Sequence, residues 1–325
     1  MALEKTILQN PAAQGRFRRL LLVWFDRSKR DLPWRKSRHP YRVWLSEVML
    51  QQTRVAATVG HYREFLRRFP TVTRLARARE SSVLAAWSGL GYYRRARMLH
   101  AAARKIVNDH AGCFPSSAEQ LRTLPGIGRY TAAAIASIAF GQPTAVVDGN
   151  VERVLQRILG KNLSGEPLWQ AAEKLLDKTR SGDFNQAMME LGAVVCLPRP
   201  PKCLLCPVNA LCATRGEHPR SEPPKRQRKR QIHCTLCVRN RRVLLVQRPC
   251  EAPVMAGMWE LPEISPNGTR PWLTLRHSIT TTDYSVRVFK GVAPEVNGKW
   301  IRRSRILQLP LTGLARKILR AAEII

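Results

Sequence analysis

Four cysteines gather in one short segment of the chain. The segment follows the spacing C-x6-C-x2-C-x5-C, with thiols at Cys196, Cys203, Cys206 and Cys212. Thiolate sulfur is a soft ligand that selects zinc or an iron–sulfur cluster. Structural zinc sites usually hold two short cysteine pairs apart, whereas this segment has one short pair flanked by single cysteines. The spacing therefore favours a [4Fe–4S] cluster ligated by all four thiols.

Two acidic residues stand where a carboxylate could do proton or charge chemistry. Glu47 interrupts the apolar segment VWLSEVMLQQT, and burial in a dry pocket would raise its pKa and make it a general acid. Asp148 and Asn150 lie in AVVDGNVERVL, at the start of a predicted helix. An aspartate there is commonly an N-cap, so the residue types alone leave open whether Asp148 caps the helix or acts on a substrate.

The segment LPGIGRYTAAAIASIAF predicts two helices joined by a tight turn. The first helix is expected to end at Leu124 and the second to begin near Arg129, with Gly126 and Gly128 in the turn. Glycines let the backbone turn sharply with its N–H groups exposed, and a helix N-terminus attracts anions. This pattern is typical of a helix–hairpin–helix that holds a DNA phosphate without reading sequence; a plain helical corner is the alternative.

Charge and aromatic content point to the same partner. The chain has 55 Lys+Arg against 23 Asp+Glu, a formal net charge of +32. A polyanion such as nucleic acid is the expected partner of so basic a chain. The segment WSGLGYYRRARMLHAAA sets Tyr92 and Tyr93 among arginines, a mixture that suits base stacking beside phosphate contacts.

Helical periodicity dominates the region that must position these residues. Residues 1–215 read as mostly helical, with segments such as 41–52, 94–108, 130–140 and 151–159. A polar, basic stretch follows and is interpreted as a linker. The remainder predicts strands at 231–238, 242–247, 272–277 and 284–292, then a C-terminal helix at 311–322, as in a small α+β domain.

Compartment and membrane association can be addressed from composition. No run of apolar residues is long enough to span a bilayer, and the first residues do not resemble a secretory signal. Eight cysteines, clustered rather than spread as a disulfide framework, fit a reducing cytosol. We therefore expect a cytoplasmic, nucleoid-associated monomer.

Six motifs recur in an order that is typical of one protein family. They are LPWR, SEVMLQQT, GLGYY with RAR, LPGIGRYTA, VVDGNV and the cysteine segment. In this order they resemble the endonuclease III superfamily of helix–hairpin–helix DNA glycosylases and, within it, the MutY-type adenine glycosylases. The resemblance implies a helical glycosylase domain at 1–216 (a six-helix module at 28–142 and an iron–sulfur module at 1–27 and 143–216), a basic linker at 217–230 and a Nudix-like domain at 231–325.

The resemblance also implies roles for individual residues. Glu47 matches the acid that protonates adenine N7, and Asp148 the carboxylate that stabilises the sugar cation. Asn150 and Tyr130 match residues that hold these groups in position. Tyr130 stands where bifunctional relatives carry the lysine that attacks the sugar, so we expect base removal without an efficient lyase step. The residues matched to DNA and substrate contact are Trp34, Arg35, Gln51, one of Tyr92 and Tyr93, Gly126, Gly128, Arg199 and Lys202.

The C-terminal region departs from the family pattern. Segments VLLVQRP, GMWELPE and LPLTGLARKIL are similar to the Nudix-like domain, but the stretch after Trp259 leaves no room for the glutamate-bearing helix that Nudix hydrolysis needs. Relatives recognise 8-oxoguanine through the loop H-x-F-S-H. Here that loop reads His277, Ser278, Ile279, Thr280 and Thr281, so a contact with the lesion is expected to differ.

These features favour an enzyme that excises adenine opposite 8-oxoguanine or guanine in double-stranded DNA and leaves an abasic site. A related mismatch glycosylase that removes another base, such as thymine, is the first alternative. A catalytically idle mismatch-binding iron–sulfur protein is the second, although a binder would not need both Glu47 and Asp148.

Overall fold

A computed structural model describes residues 7–216, 228–249, 251–265, 270–279, 282–291 and 293–325. Within these ranges helices occupy the first two-thirds of the chain, and strands with two further helices occupy the rest. None of the helices in the described part is long and apolar enough to cross a membrane. The helices are α1 Pro11–Ser28, α2 Pro40–Leu50, α3 Val55–Arg68, α4 Val72–Ala76, α5 Glu80–Trp87, α6 Arg94–His110, α7 Ala118–Leu121, α8 Arg129–Phe140, α9 Gly149–Leu159, α10 Gly165–Leu175, α11 Ser181–Val194, α12 Arg303–Ile306 and α13 Gly313–Ala321.

Two small sheets form the C-terminal region. In the first, β6 lies between β1, to which it is parallel, and β5, to which it is antiparallel. In the second, β3 pairs antiparallel with β2, β4 and β7. The strands are β1 Arg228–Leu236, β2 Val238–Arg239, β3 Arg242–Gln247, β4 Trp259–Glu260, β5 Leu273–Ile279, β6 Thr282–Lys290 and β7 Gly298–Arg302.

The chain divides into two compact units. One comprises Met1–Gln52 and Ala102–Glu222, and the other Thr53–Ala101 and Pro223–Ile325. In the second unit the carbonyl of Leu311 accepts hydrogen bonds from Ser88 Oγ and Tyr93 OH, each at 3.0 Å. These bonds connect the α3 to α5 region with the C-terminal region. This division differs from the domain limits expected from the sequence, and those limits stay a prediction.

The linker also ends earlier than expected. Arg228 and Arg230 fall within the predicted linker 217–230, but they pair with Thr282 and Tyr284 of β6 and so belong to β1. Backbone hydrogen bonding to a neighbouring strand outweighs the high polarity of this basic stretch. The rest of the expected linker, 217–227, lies outside the described residues.

Small residues set the packing in the first unit. α8 carries alanines at positions 132, 133, 134 and 136, all buried, and packs against both α2 and α11. Without bulky side chains between them the helix backbones can approach closely, which gives α8 a central position. The same close approach brings Glu47 of α2 beside the first turn of α8.

Candidate active site

Glu47 and Tyr130 form the centre of the site. Glu47 lies on α2, in a run that is buried from Val43 to Met49, and is itself only 6% exposed. The hydroxyl of Tyr130, on α8, donates a hydrogen bond to Glu47 Oε2 at 2.5 Å. A carboxyl group that is held this way in a dry setting keeps one defined orientation, as proton transfer requires.

Burial governs the protonation of both groups. It raises the pKa of Glu47 to about 7; the Tyr130 hydrogen bond opposes the rise, the Asp148 charge adds to it, and the Arg35 guanidinium opposes it. Burial and then the charges of Glu47 and Asp148 raise the pKa of Tyr130 well above its ordinary value of 10.0. At neutral pH the phenol therefore stays a donor, and Glu47 is present in both protonated and ionised forms.

Asp148 is fixed at the N-terminus of α9. Its Oδ1 accepts hydrogen bonds from the backbone N–H of Asn150 at 2.9 Å and of Val151 at 2.8 Å. Its Oδ2 accepts from the Asn150 side-chain amide at 2.9 Å. The residue is thus an N-cap, and its half-buried carboxylate also acts electrostatically on Glu47 and Tyr130. One carboxylate therefore both caps α9 and forms part of the candidate site.

A chain of hydrogen bonds runs from Asp148 to the cysteine segment. Arg153, one turn along α9, donates to Asn150 Oδ1 at 2.9 Å and to the Cys196 carbonyl at 2.9 Å. Gly192 allows this approach, because a Cβ there would lie 2.6 Å from Asn150 Cβ. The pattern Asn150, Arg153, Arg157 on one helix face was a signal in the sequence that could have identified these arginines.

The four cysteines line one pocket in the first unit. Buried Arg157 lies beside it and donates a hydrogen bond to Cys196 Sγ at 3.2 Å. Gly216 borders it with φ +106, and a Cβ there would lie 3.1 Å from Cys203 Sγ. The donor set and its cradle fit a thiolate-bound group. As the side chains stand, no three potential ligands in the described part of the chain are grouped to hold one metal ion.

Other predicted contact residues of the first unit surround this centre or lie on its surface. Gln51 ends α2 and donates to Thr131 Oγ1 at 3.2 Å, next to Tyr130. The turn before α8 has Gly126 at φ +73, a conformation that glycine adopts without strain. Trp34 is buried, whereas the following residues are exposed: Gly126, Gly128, Arg199 and Lys202.

The remaining predicted residues belong to the second unit. Tyr92 is 45% exposed and lies under the Arg95 guanidinium. Tyr93 is 4% exposed, and its hydroxyl donates a hydrogen bond to the Leu311 carbonyl. Tyr92 is therefore the solvent-exposed member of the pair. His277 is half-buried on β5, Ile279 is the last residue of that strand, and Thr280 and Thr281 lie outside the described residues.

Comparison with known proteins gives the family. Residues 45–178 match the model of the HhH-GPD superfamily of base excision DNA repair proteins. A solved structure of a thermostable thymine-DNA glycosylase is 32% identical, with a TM-score of 0.59, and the match covers 62% of this chain and 96% of that one. The chain belongs to the HhH-GPD superfamily.

Two further relatives of this HhH-GPD protein are named adenine DNA glycosylase. The protein of Homo sapiens is 41% identical over 314 residues, which cover 77% of this chain and 57% of the human one. The protein of Rattus norvegicus is 52% identical over 213 residues, or 60% of this chain and 41% of the rat one. The chain thus spans about half the length of these relatives.

A buried ion-pair cluster that the sequence did not indicate supports the Glu47 side of the site. Glu190 on α11, with a fully buried side chain, accepts from Arg30 at 2.7 Å and from Arg35 at 2.8 Å. Burial opposes its ionisation, but these hydrogen bonds prevail and lower the pKa of Glu190 to about 2. Glu190 therefore holds Arg35, whose charge acts on Glu47, in a fixed place.

We expect Glu190→Gln to lower the free energy of unfolding by about 3–5 kcal/mol, because it leaves two arginines without their buried carboxylate. Urea unfolding at pH 7 measures the change. The stabilisation is present above about pH 4.5 and is lost as the pH falls towards the folded-state pKa. Glu64→Gln is the matched control, since its ion pairs with Arg67 and Arg68 are exposed and should contribute little to stability. Equal effects of the two substitutions would contradict the assignment.

Proposed function

We propose that this chain is a monofunctional adenine DNA glycosylase. It would hydrolyse the N-glycosidic bond of adenine opposite 8-oxoguanine or guanine and leave an abasic site. The observation that carries the proposal is the buried Glu47, whose pKa is raised to about 7 while Tyr130 holds it at 2.5 Å. The names of the relatives support adenine as the base removed.

The chemistry follows from the two carboxylates. The glycosidic bond cannot be reached inside a base stack, so the adenine must be flipped out of the stack to meet Glu47. There Glu47 would donate a proton to N7 and turn the base into a neutral leaving group. Asp148, anchored by Asn150, would stabilise the cationic sugar, as the second carboxylate does in glycoside hydrolysis.

Tyr130 decides the outcome after base loss. A lyase step needs an amine that forms a Schiff base with the sugar. A phenol forms no imine, and this one is committed to a hydrogen bond with Glu47. The abasic strand should therefore remain intact until alkali or another enzyme cleaves it.

DNA contact would use both backbone and side chains. The N-terminus of α8, preceded by Gly126 and Gly128, offers free N–H groups to a phosphate. Gln51 would enter the base stack as the adenine leaves it, and the exposed Tyr92 is a second candidate for that role. The net charge of +32 suits such a partner.

The cysteine segment would hold a [4Fe–4S] cluster through Cys196, Cys203, Cys206 and Cys212. The contact of Arg157 with Cys196 Sγ supports ligation by thiolates. The group would serve as a structural cross-link that fixes the surrounding loop. The exposed Arg199 and Lys202 in that loop would then be directed at the DNA backbone.

Cys203→Ser should remove most of the absorbance near about 400 nm that thiolate-bound iron gives, together with the bound iron and much of the duplex affinity. Iron analysis and binding of anaerobically purified protein measure these effects. Cys113→Ser is the control, because Cys113 is exposed and outside the segment. Zinc without iron in the unaltered protein would contradict the cluster.

The C-terminal region would be a Nudix-like domain that reads the base opposite adenine. Its mixed sheet, with β1 parallel to β6, supports this architecture. Within 251–265 and 270–279 no helix is present to carry the glutamates of a Nudix hydrolase, so nucleotide hydrolysis is not proposed. His277 and the residues that follow Ile279 in the sequence would approach 8-oxoguanine.

The test is a single-turnover assay on duplexes with adenine opposite 8-oxoguanine, guanine or thymine, and with thymine opposite guanine. Strand breaks are scored with and without alkali. Adenine release that is fastest opposite 8-oxoguanine, with breaks only after alkali, is the expected result. Thymine release instead would favour the related mismatch glycosylase, and no release from any duplex the idle binder.

A further inference from the structure

Three arginines form a row across the second sheet. In the strand register Arg239 of β2 faces Arg242 of β3, and Arg242 also faces Arg302 of β7. Residues directly opposite one another lie on the same face of a sheet, about 5 Å apart, and like charges in such positions are destabilising. This arginine row, Arg239, Arg242 and Arg302, therefore opposes folding unless an anion lies across it.

The turn beside the row contains a second unfavourable choice. Asn240 and Arg241 join β2 to β3, with φ values of 48° and 55°. Such two-residue turns favour glycine at the second position, because a side chain in the left-handed region costs about 1–2 kcal/mol. The backbone N–H of Arg303 donates to the Arg241 carbonyl at 3.0 Å and fixes the turn. Arg241 thus occupies a position where glycine would give a more stable turn.

The row and its turn line an open depression of about 780 Å³. None of the eight described residues that line it is acidic, and no carboxylate elsewhere in the described ranges forms an ion pair with its arginines. A half-buried tryptophan contributes an aromatic surface. The charged and aromatic members are Arg239, Arg241, Arg242, Trp300, Arg302 and Arg303.

The depression lies at the far end of the C-terminal region from the last residue of β5, Ile279. Ile279 lies near the start of β1, since both Ile279 and Arg228 pair with Thr282. The arginine row begins at Arg239 of β2, shortly after β1 ends at Leu236. The nine residues of β1 separate the two ends by eight steps, a distance of about 26 Å at about 3.3 Å per residue. The two surfaces therefore cannot contact the same base pair.

We propose that the arginine row binds the phosphodiester backbone of DNA, at a second contact remote from the mispair. Guanidinium groups bind phosphate oxygens in a bidentate manner. Because the row crosses three strands, over about 10 Å, it can contact more than one phosphate of a DNA strand. The depression would accept a strand, with Trp300 available to stack on a sugar or base. The inference rests on the proposed function in taking DNA as the substrate.

Binding of an undamaged duplex of about 40 base pairs, titrated from about 50 to 200 mM salt, tests the proposal. The variant is Arg239→Gln, Arg242→Gln and Arg302→Gln together. We expect at least about tenfold weaker binding at low salt and a plot of log affinity against log salt that is less steep by about 2–3. The variant should unfold at the same or a higher temperature, because the repulsion is removed.

The control variant removes the same charge from α1, through Arg16→Gln, Arg19→Gln and Arg27→Gln, all exposed. An equal loss in both variants would overturn the proposal in favour of net charge alone. Unchanged binding of DNA would also overturn the proposal and would point to an acidic protein surface as the partner of the arginine row. If the triple variant does not fold, Arg302→Gln alone should lower the slope by about 1. Because the duplex is undamaged, failure of adenine release in the separate excision assay leaves this result interpretable.

Discussion

Glu47→Gln should reduce the single-turnover rate of adenine release by about 10²–10⁴ or more while leaving duplex affinity within about twofold. Glutamine preserves the size of the side chain and can accept the Tyr130 hydrogen bond, but it has no proton to give to the departing base. The measurement is base release at saturating enzyme on a duplex with adenine opposite 8-oxoguanine, beside a binding titration of the same duplex.

The pH dependence of the unaltered enzyme should agree with this role. Since burial raises the pKa of Glu47 to about 7, the protonated acid predominates below that value and becomes scarce above it. The rate should be level at lower pH and fall about tenfold per pH unit well above 7. Unchanged turnover in Glu47→Gln, or a rate that rises through this range, would contradict general-acid catalysis.

The same pKa gives a control for folding. In the folded protein Glu47 holds its proton more tightly than in the unfolded chain, so its contribution to stability is full below about pH 4.5 and is lost as the pH rises through about 7. Glu47→Gln removes a carboxyl group that is costly to ionise in this setting. At pH 8 the variant should therefore unfold no earlier than the unaltered protein, and its loss of activity cannot be ascribed to unfolding.

Local sequence patterns predicted the elements that carry the site. The expected helices at 130–140 and 151–159 correspond to Arg129–Phe140 and Gly149–Leu159, and the expected strand at 242–247 to Arg242–Gln247. Apolar periodicity and glycine turns are local signals, so they are readable without the fold. The segment Gly298–Arg302 was not predicted as a strand, because its pairing with β3 supplies what its short sequence does not.

Partners that are distant in sequence were beyond such patterns. Glu190 meets Arg30 and Arg35 across some 155 residues, and nothing in their local segments indicates the pairing. The choice between Tyr92 and Tyr93 depended in the same way on Leu311, more than 200 residues along the chain. Charge and aromatic residues can be counted in a sequence, but which of them are committed to one another is decided by packing.

Asp148→Asn should separate the two duties that one carboxylate combines. Asparagine is as good an N-cap as aspartate, so its side-chain oxygen can still accept from the N–H groups of Asn150 and Val151. The negative charge that would stabilise the sugar cation is lost. We expect adenine release to fall by about 10²–10³, as for other electrostatic groups in active sites, while the free energy of unfolding changes by less than about 1 kcal/mol.

Asp148→Ser is the matched second variant, because serine also caps helices but brings no amide donor that would face the Asn150 side chain. Single-turnover rates and urea unfolding of both variants decide between the two duties. If both fold and both lose release, the carboxylate itself acts on the substrate. If activity instead follows the folded fraction, or Asp148→Asn is fully active, Asp148 is a helix cap alone and Glu47 would have to act without a second carboxylate.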